Sequence, residues 1–169
     1  NQKFYTEKYG VTHPTKPGLK IPQMFEAAID KELKGLWIIG EDIVQTDPNS
    51  AHVVEAMNSL ELLVVQEIFM SETAKLATVV LPGTTFLEKD GTFTNTERRI
   101  QRVNRAVEPL PGTKPDGLIV TDMMQKLGFD QPTYNADQVL SEIADVVPFF
   151  KGVTRERLGK LGLQWPVQE

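Results

Sequence analysis

Four acidic side chains are the residues of this sequence with the most obvious capacity for chemistry. Glu41, Asp42 and Glu67 follow short apolar runs, and Asp116 follows a proline that could open a helix. Carboxylates repel phosphates at close range and are therefore poor phosphate ligands. They are good acceptors for ribose hydroxyl groups, and one carboxylate can accept both parallel N–H donors of a guanine edge. Each acid taken alone is more simply a solvated loop residue, so it is their grouping that indicates a ligand site.

Three further polar residues could complete such a site. Gln66 directly precedes Glu67, Thr46 could donate its hydroxyl to a phosphate, and Lys89 could neutralise a phosphate or a ring oxygen of a ligand. The alternatives are that Thr46 is the neighbour of a helix cap and that Lys89 is an ordinary exposed lysine. Because the sequence contains neither a G-x-G-x-x-G nor a Walker A loop, phosphates would have to meet backbone N–H groups at helix starts, near Thr46 and after Ser71.

The composition excludes several other kinds of site. The 169 residues include no cysteine, which excludes disulfides, cysteine-ligated iron–sulfur clusters and a thiol nucleophile within this chain. The two histidines, His13 and His52, lack metal-binding spacing, so we predict neither a metal site nor catalytic residues. A net charge of −5 argues against nucleic acid as a partner. The longest apolar runs are too short to span a bilayer, and without a signal-peptide pattern we expect a cytoplasmic protein.

The hydrophobic pattern predicts the elements that must position these residues. Three short apolar runs are predicted as buried strands, at Leu36–Ile39, Leu62–Val65 and Thr78–Leu81, with helices between them. This β-α-β-α-β order predicts an α/β fold with a doubly wound, mainly parallel sheet flanked by helices on both faces. Right-handed crossovers bring the carboxyl ends of the strands, and the polar residues that follow them, to one edge of the sheet.

The remaining segments frame this predicted sheet. Residues 1–20 predict an irregular lead-in, and Pro22 begins a helix that Gly35 ends. An extended arm or irregular ribbon is predicted after Gly91, followed by three helices that begin at or near Pro115, Asn135 and Thr154. We expect a single domain over residues 1–169 that is a fragment of a larger subunit, with residues 146–169 extending toward a missing domain.

One stretch of the chain also resembles a family signature. Residues Ser71–Glu88 are similar to the second conserved signature of prokaryotic molybdopterin oxidoreductases, with small residues, aliphatics, Leu-Pro and a final Glu in the required order. Thr78 departs from the pattern, because the family usually has Asp there. GEDIVQTD at Gly40–Asp47, VVQEIFM at Val64–Met70 and GLQWP near the end look most like the large subunit of molybdenum- or tungsten-dependent formate dehydrogenases.

The resemblance implies a domain that binds one of two molybdopterin guanine dinucleotides, similar to domain III of formate dehydrogenase and dimethyl sulfoxide reductase. It implies formate oxidation to CO₂ by the full subunit, with electron-transfer subunits and the other domains of the same subunit as partners. The metal ligand and an iron–sulfur cluster would lie outside this chain. By position, the dinucleotide contacts fall on Asp42, Thr46, Gln66, Glu67, Lys89 and Asp116.

Two alternatives stay open. One is a non-catalytic scaffold, as in the large iron–sulfur subunit of NADH dehydrogenase, whose fold is related. The retained GED, QE and EK residues and Asp116 argue against it, because a scaffold has no need of dinucleotide contacts. The other is a sister enzyme of the nitrate reductase type, which usually lacks the GED and QWP elements that this chain contains.

Overall fold

Three short parallel strands form the centre of the molecule. The computed structural model describes residues 2–167, so Asn1, Gln168 and Glu169, which belong to the domain predicted over 1–169, lie outside the described residues. The strands are β1 (Gly35–Ile39), β2 (Leu62–Glu67) and β3 (Val79–Pro82). They pair in the order β1-β2-β3, with Trp37 beside Val64 and Val64 beside Val79. The predicted parallel sheet and α/β class are therefore confirmed.

Five helices precede or connect these strands. They are α1 (Gln2–Tyr9), α2 (Ile21–Ile29), α3 (Ile43–Thr46), α4 (Ser50–Ser59) and α5 (Glu72–Lys75). Helix α4 begins two residues after Pro48, because the Asn49 side chain accepts the N–H of His52 and so caps the helix. Ser71 caps α5 by accepting from the N–H of Ala74, as predicted.

The amino-terminal segment differs from its prediction as an irregular lead-in over residues 1–20. Residues Gln2–Tyr9 form α1, and Gly10 follows with a φ of +66°. The Tyr5 hydroxyl donates a 3.4 Å hydrogen bond to the carbonyl of Val146, far along the chain. Helix α1 has a weak apolar stripe and no buried residue, which is why its sequence pattern gives little signal.

Alternate residues of the strands pack against the helices on one face of the sheet. This core contains side chains from α2, α3, α4 and α5 together with those of the strands, among them Phe25, Val53, Met57, Leu63 and Val65. Leu63 and Val65 point to the helices, whereas the residues between and beside them, Leu62 and Val64, belong to the opposite face.

The second half of the chain builds a smaller unit around a hairpin. Strands β4 (Gly91–Thr94) and β5 (Arg99–Val103) pair antiparallel, and β6 (Leu163–Gln164) joins the outer edge of β5. The hairpin replaces the extended arm or irregular ribbon that we predict from the sequence after Gly91. Its turn is tightened by the Asn95 N–H, which donates to the Arg99 carbonyl at 3.0 Å.

Three helices pack around this hairpin or link it to the sheet. They are α6 (Asp116–Lys126), α7 (Ala136–Val146) and α8 (Arg155–Leu158), all at positions predicted to be helical. A second core joins Ile100, Leu140, Val153 and Leu158. The carboxyl-terminal segment packs back onto the hairpin as far as residue 167, and the Trp165 ring lies 4.9 Å beneath the Arg98 guanidinium. Within the described residues, no helix is long and apolar enough to cross a membrane.

Candidate functional site

The carboxyl ends of the three strands lie side by side, as the parallel order requires. The N–H of Gly40 donates to the Gln66 carbonyl at 2.9 Å, and the N–H of Gly83 donates to the Glu67 carbonyl at 3.0 Å. Lys114 donates its N–H to the Pro82 carbonyl at 3.1 Å, and the adjacent Pro115 directly precedes the first residue of α6. The first residue of α6 is thereby held against the end of β3.

Three side chains and one backbone carbonyl meet at this edge, and we call the four residues the Asp116 cluster: Gln66, Lys89 and Asp116 through their side chains, and Thr84 through its carbonyl. Asp116 accepts a 2.8 Å hydrogen bond from the Gln66 amide and an ion-paired bond from the Lys89 ammonium at 2.5 Å. Lys89 also donates to the Thr84 carbonyl at 3.2 Å. A Cβ on Gly83 would lie 3.2 Å from the Asp116 carboxylate, so glycine permits this close approach.

The electrostatics of the Asp116 cluster favour the ionised carboxylate. Partial burial raises the pKa of Asp116, but hydrogen bonds from Lys89 and Gln66 and the charge of Lys89 outweigh burial. The net effect holds the pKa of Asp116 below its ordinary value. Lys89 therefore acts first as the counter-ion of Asp116, with two of its three donors occupied by protein acceptors.

Two buried oxygen atoms of the cluster have no hydrogen-bond partner within residues 2–167. They are the Gln66 Oε1 and the Thr84 Oγ1, in residues that are each only 1% exposed. Buried polar atoms in native proteins almost always have a partner. Since the Gln66 amide nitrogen is already bonded to Asp116, the orientation of the amide is fixed, and its oxygen finds no donor among residues 2–167. The cluster thus has the donor and acceptor pattern of an incomplete ligand site.

Asp42 bonds to the start of α5 and not to the Asp116 cluster. Its carboxylate accepts from the Thr73 hydroxyl at 2.6 Å, from the Thr73 N–H at 3.0 Å and from the Glu72 N–H at 3.3 Å. Burial raises the pKa of Asp42, but these bonds and one from Gln45 outweigh burial and lower it overall. The N–H groups at the start of α5, which the sequence offers to a phosphate, are therefore already bonded to Asp42 and Ser71.

Replacing Asp42 with alanine is expected to loosen the start of α5. Loss of a capping acceptor costs about 0.5–2 kcal/mol, so hydrogen exchange at the amides of Glu72 and Thr73 should accelerate about 2- to 30-fold. The folded pKa is lowered, so the stabilisation is present above the ordinary value of 3.8 and is lost as the pH falls through the lower folded value. The difference between the two proteins should therefore shrink below about pH 4. Equal exchange at pH 7 would show that Asp42 does not cap α5.

Thr46 and Glu67 also form their hydrogen bonds outside the Asp116 cluster. The Thr46 hydroxyl donates to the Glu41 carboxylate at 2.6 Å, beside a cleft of about 510 Å³ that runs between α2 and the end of β1. Glu67 accepts from the N–H of Ile68 at 2.7 Å. Within the described part of the chain, no hydrogen bond joins either residue to the Asp116 cluster. Of the six predicted contacts, the structure brings Gln66, Lys89 and Asp116 together.

Sequence reasoning missed three residues at or near this edge, namely Thr73, Thr84 and Tyr134. The Tyr134 ring lies over Gly117, where an added Cβ would come within 2.1 Å of the ring, and both residues border a cleft of about 260 Å³ beside Lys89. Burial and the charge of Asp116 raise the pKa of Tyr134, in that order. The sequence signal for this contact was Gly117, directly after Asp116, because a glycine allows another group to approach the backbone closely.

No metal centre is indicated by the side chains that are described. Among residues 2–167, no group of three or more His, Asp or Glu side chains is arranged to hold a metal ion. The carboxyl edge of the sheet offers hydrogen-bond acceptors, a lysine whose charge is paired with Asp116, and small residues. These groups suit an uncharged part of a ligand that carries N–H or O–H donors better than they suit a phosphate.

Comparison with known proteins finds relatives that cover nearly the whole chain. The family model described as molybdopterin oxidoreductase matches residues 6–126. The alpha subunit of F420-dependent formate dehydrogenase 1 from Methanococcus maripaludis is 44% identical over 168 residues, which is 98% of this chain and 25% of that protein. The F420-dependent formate dehydrogenase alpha subunit of Methanocaldococcus jannaschii is 43% identical over 166 residues, covering 97% and 24%. The chain thus spans about a quarter of the length of these relatives.

A solved structure gives the same fold at lower identity. Acetylene hydratase from Pelobacter acetylenicus superposes with a TM-score of 0.67 and 20% sequence identity. The match covers 92% of this chain and 22% of that one. At this identity the likeness concerns the fold alone.

Proposed function

This chain belongs to the molybdopterin oxidoreductase family, and we propose that it holds the nucleotide tail of one molybdopterin guanine dinucleotide within a larger, formate dehydrogenase-like subunit. The formate dehydrogenase part of this proposal is supported by relatives that are 43–44% identical over nearly the whole chain. Formate oxidation, the electron-transfer subunits, the missing domains and a cytoplasmic location are parts of the same proposal, because the chain spans about a quarter of those relatives.

The observation that carries the proposal is the pair of unpartnered oxygens in the Asp116 cluster. Gln66 Oε1 is a buried acceptor, and the ionised Asp116 has accepting capacity beyond its bonds to Gln66 and Lys89. Guanine presents two adjacent N–H donors, at N1 and N2, and a ribose presents hydroxyl donors. Both kinds of donor fit an acceptor-rich edge, so the residues present are suited to the nucleotide end of such a cofactor.

Each chain residue has a defined part in this proposal. Gln66 and Asp116 accept hydrogen bonds from the nucleotide, while Lys89 keeps Asp116 ionised and oriented through its ion pair. Thr84 holds the Lys89 ammonium through its backbone carbonyl, and its own buried hydroxyl has no partner within residues 2–167. Asp42, Thr46 and Glu67 remain proposed contacts from the family resemblance, with Asp42 acting here also as the cap of α5. When bound, the cofactor supplies the metal and the two-electron chemistry, and this chain supplies binding and orientation.

The proposal is tested by analysing the cofactor and the activity of the complete subunit. Acid oxidation of the purified protein should release a fluorescent pterin derivative together with guanine nucleotide, and formate should reduce a viologen dye. Pterin without formate-dependent reduction would favour a sister enzyme of the nitrate reductase type. Absence of both would favour the scaffold alternative and overturn the binding role.

A further inference from the structure

The cleft of about 260 Å³ beside the Asp116 cluster lies between the hairpin and α7. Phe93 on β4 and Val139 and Ile143 on α7 give it apolar walls, while Lys89 and Asp116 form a polar border. Phe93 and Val139 are 51% and 41% exposed, so these walls are left largely uncovered. Small-molecule sites usually occupy roughly 300–1,000 Å³, so this cleft is suited to one part of a ligand and not to a whole dinucleotide.

Apolar walls with a polar border suit a flat heterocyclic ring. The faces of a nucleobase stack on aromatic side chains, whereas the edge of the base carries its hydrogen-bonding groups. Phe93 supplies an aromatic wall, and the Asp116 carboxylate supplies an acceptor for the edge. A phosphate would be repelled by that carboxylate. The cleft therefore suits the base of a nucleotide better than its phosphates.

Tyr134 brings a hydroxyl group to the same border. Its Cζ atom, which carries the hydroxyl, lies 2.5 Å from the position that a Cβ on Gly117 would occupy, directly after Asp116. Among residues 2–167, no group forms a hydrogen bond with this hydroxyl. Burial and the charge of Asp116 raise the pKa of Tyr134, so the phenol stays protonated at neutral pH and can donate a hydrogen bond.

The border of the cleft thus combines an acceptor with a donor. The edge of guanine carries N–H donors at N2 and N1, followed by the O6 acceptor. The Asp116 carboxylate can accept from both donors, but it has nothing to donate to O6. Adenine presents an acceptor at N1, where guanine presents a donor, and the carboxylate would repel it. A second group with a donor is therefore needed to complete the recognition of guanine.

We infer that the guanine base of the proposed cofactor enters this cleft and that the Tyr134 hydroxyl donates to its O6 atom, which makes Tyr134 a specificity-determining residue. The inference rests on the proposed function, because it concerns the base of the same cofactor. Lys89 has one donor beyond its bonds to Asp116 and Thr84, and it is the other group at the border that could serve O6. Removal of the Tyr134 hydroxyl alone separates these two donors.

Nucleotide binding to the complete subunit, prepared without its pterin cofactor, tests the inference. The probes are guanosine diphosphate and its 6-thio analogue, which replaces O6 with sulfur, a weak acceptor, and keeps the donors at N1 and N2. The wild-type subunit should bind guanosine diphosphate about 2- to 12-fold more tightly than the analogue, the range expected for one hydrogen bond. Tyr134→Phe keeps the ring over Gly117, so it should weaken guanosine diphosphate by this factor and leave the analogue unchanged.

The matched control is Tyr5→Phe, which also removes one phenol hydroxyl. The acceptor of that hydroxyl is the Val146 carbonyl, which does not line the cleft, so this variant should keep the wild-type preference. A preference that survives in Tyr134→Phe, or that is missing in the wild type, would overturn the inference and leave the proposed function intact, because guanosine diphosphate still binds. A wild-type subunit that binds neither nucleotide would refute the proposed function and the inference together.

Discussion

Replacing Lys89 and Asp116 together with alanine is expected to reduce the cofactor content of the complete subunit sharply. The double variant removes the carboxylate acceptor and the ion pair that orients it, and it frees the Gln66 amide that Asp116 now holds. Loss of such hydrogen bonds costs about 1–3 kcal/mol of binding free energy, or about 5- to 150-fold in affinity. Pterin and guanine nucleotide retained after desalting are the quantities to measure.

The double variant is preferable to either single one for a structural reason. Removing one partner would leave the other charge partly buried and unpaired, which by itself destabilises the fold. A matched control is Lys114→Ala with Asp122→Ala. This pair is likewise an ion pair between a lysine and a carboxylate of α6, with a length of 2.6 Å, and no hydrogen bond within residues 2–167 joins its side chains to the Asp116 cluster. The control should retain full cofactor. Equal cofactor content in both double variants would refute the binding role of the Asp116 cluster.

Replacing Gly117 with alanine is expected to disturb the start of α6 and the Tyr134 ring together. The new methyl group would lie 2.1 Å from one ring carbon of Tyr134 and 2.5 Å from another, so the ring or the helix must move. Overpacking of this kind costs about 1–3 kcal/mol, and the better helix propensity of alanine offsets about 0.5–1 kcal/mol of that cost. Hydrogen exchange at the amides of α6 should accelerate, and cofactor retention should fall because Asp116 is the adjacent residue.

Two further variants test whether the contact with Tyr134 causes the faster exchange in α6. Adding Tyr134→Ala to Gly117→Ala removes the clashing ring. The amides of α6 in this double variant should therefore exchange no faster than in Tyr134→Ala alone. Gly18→Ala is the neutral control, because no atom lies within 4 Å of a Cβ at that position. If Gly117→Ala behaves like Gly18→Ala, the close approach of Tyr134 to α6 is not a constraint on the fold.

The order of the central elements was accessible from the sequence because it depends on local patterns. Short apolar runs indicated the three strands, and Ser71, Asn135 and Thr154 marked helix starts that the structure confirms. The parallel sheet then followed from general rules of connection. The hairpin of β4 and β5 was missed because its strands are polar and short, and its pairing with β6 joins residues about 60 positions apart.

The sequence by itself determined which polar residue types follow the strands, and hence that Gln66, Lys89 and Asp116 could meet at one edge. Only the tertiary structure decided that they do, because Asp116 is 50 positions from Gln66 and 27 from Lys89, separations at which no local pattern reports contact. The same holds for Asp42, which looked equivalent to Asp116 in sequence but bonds to Thr73, 31 positions away. Local periodicity reflects interactions within a few residues, whereas the partner of a carboxylate depends on how distant elements pack.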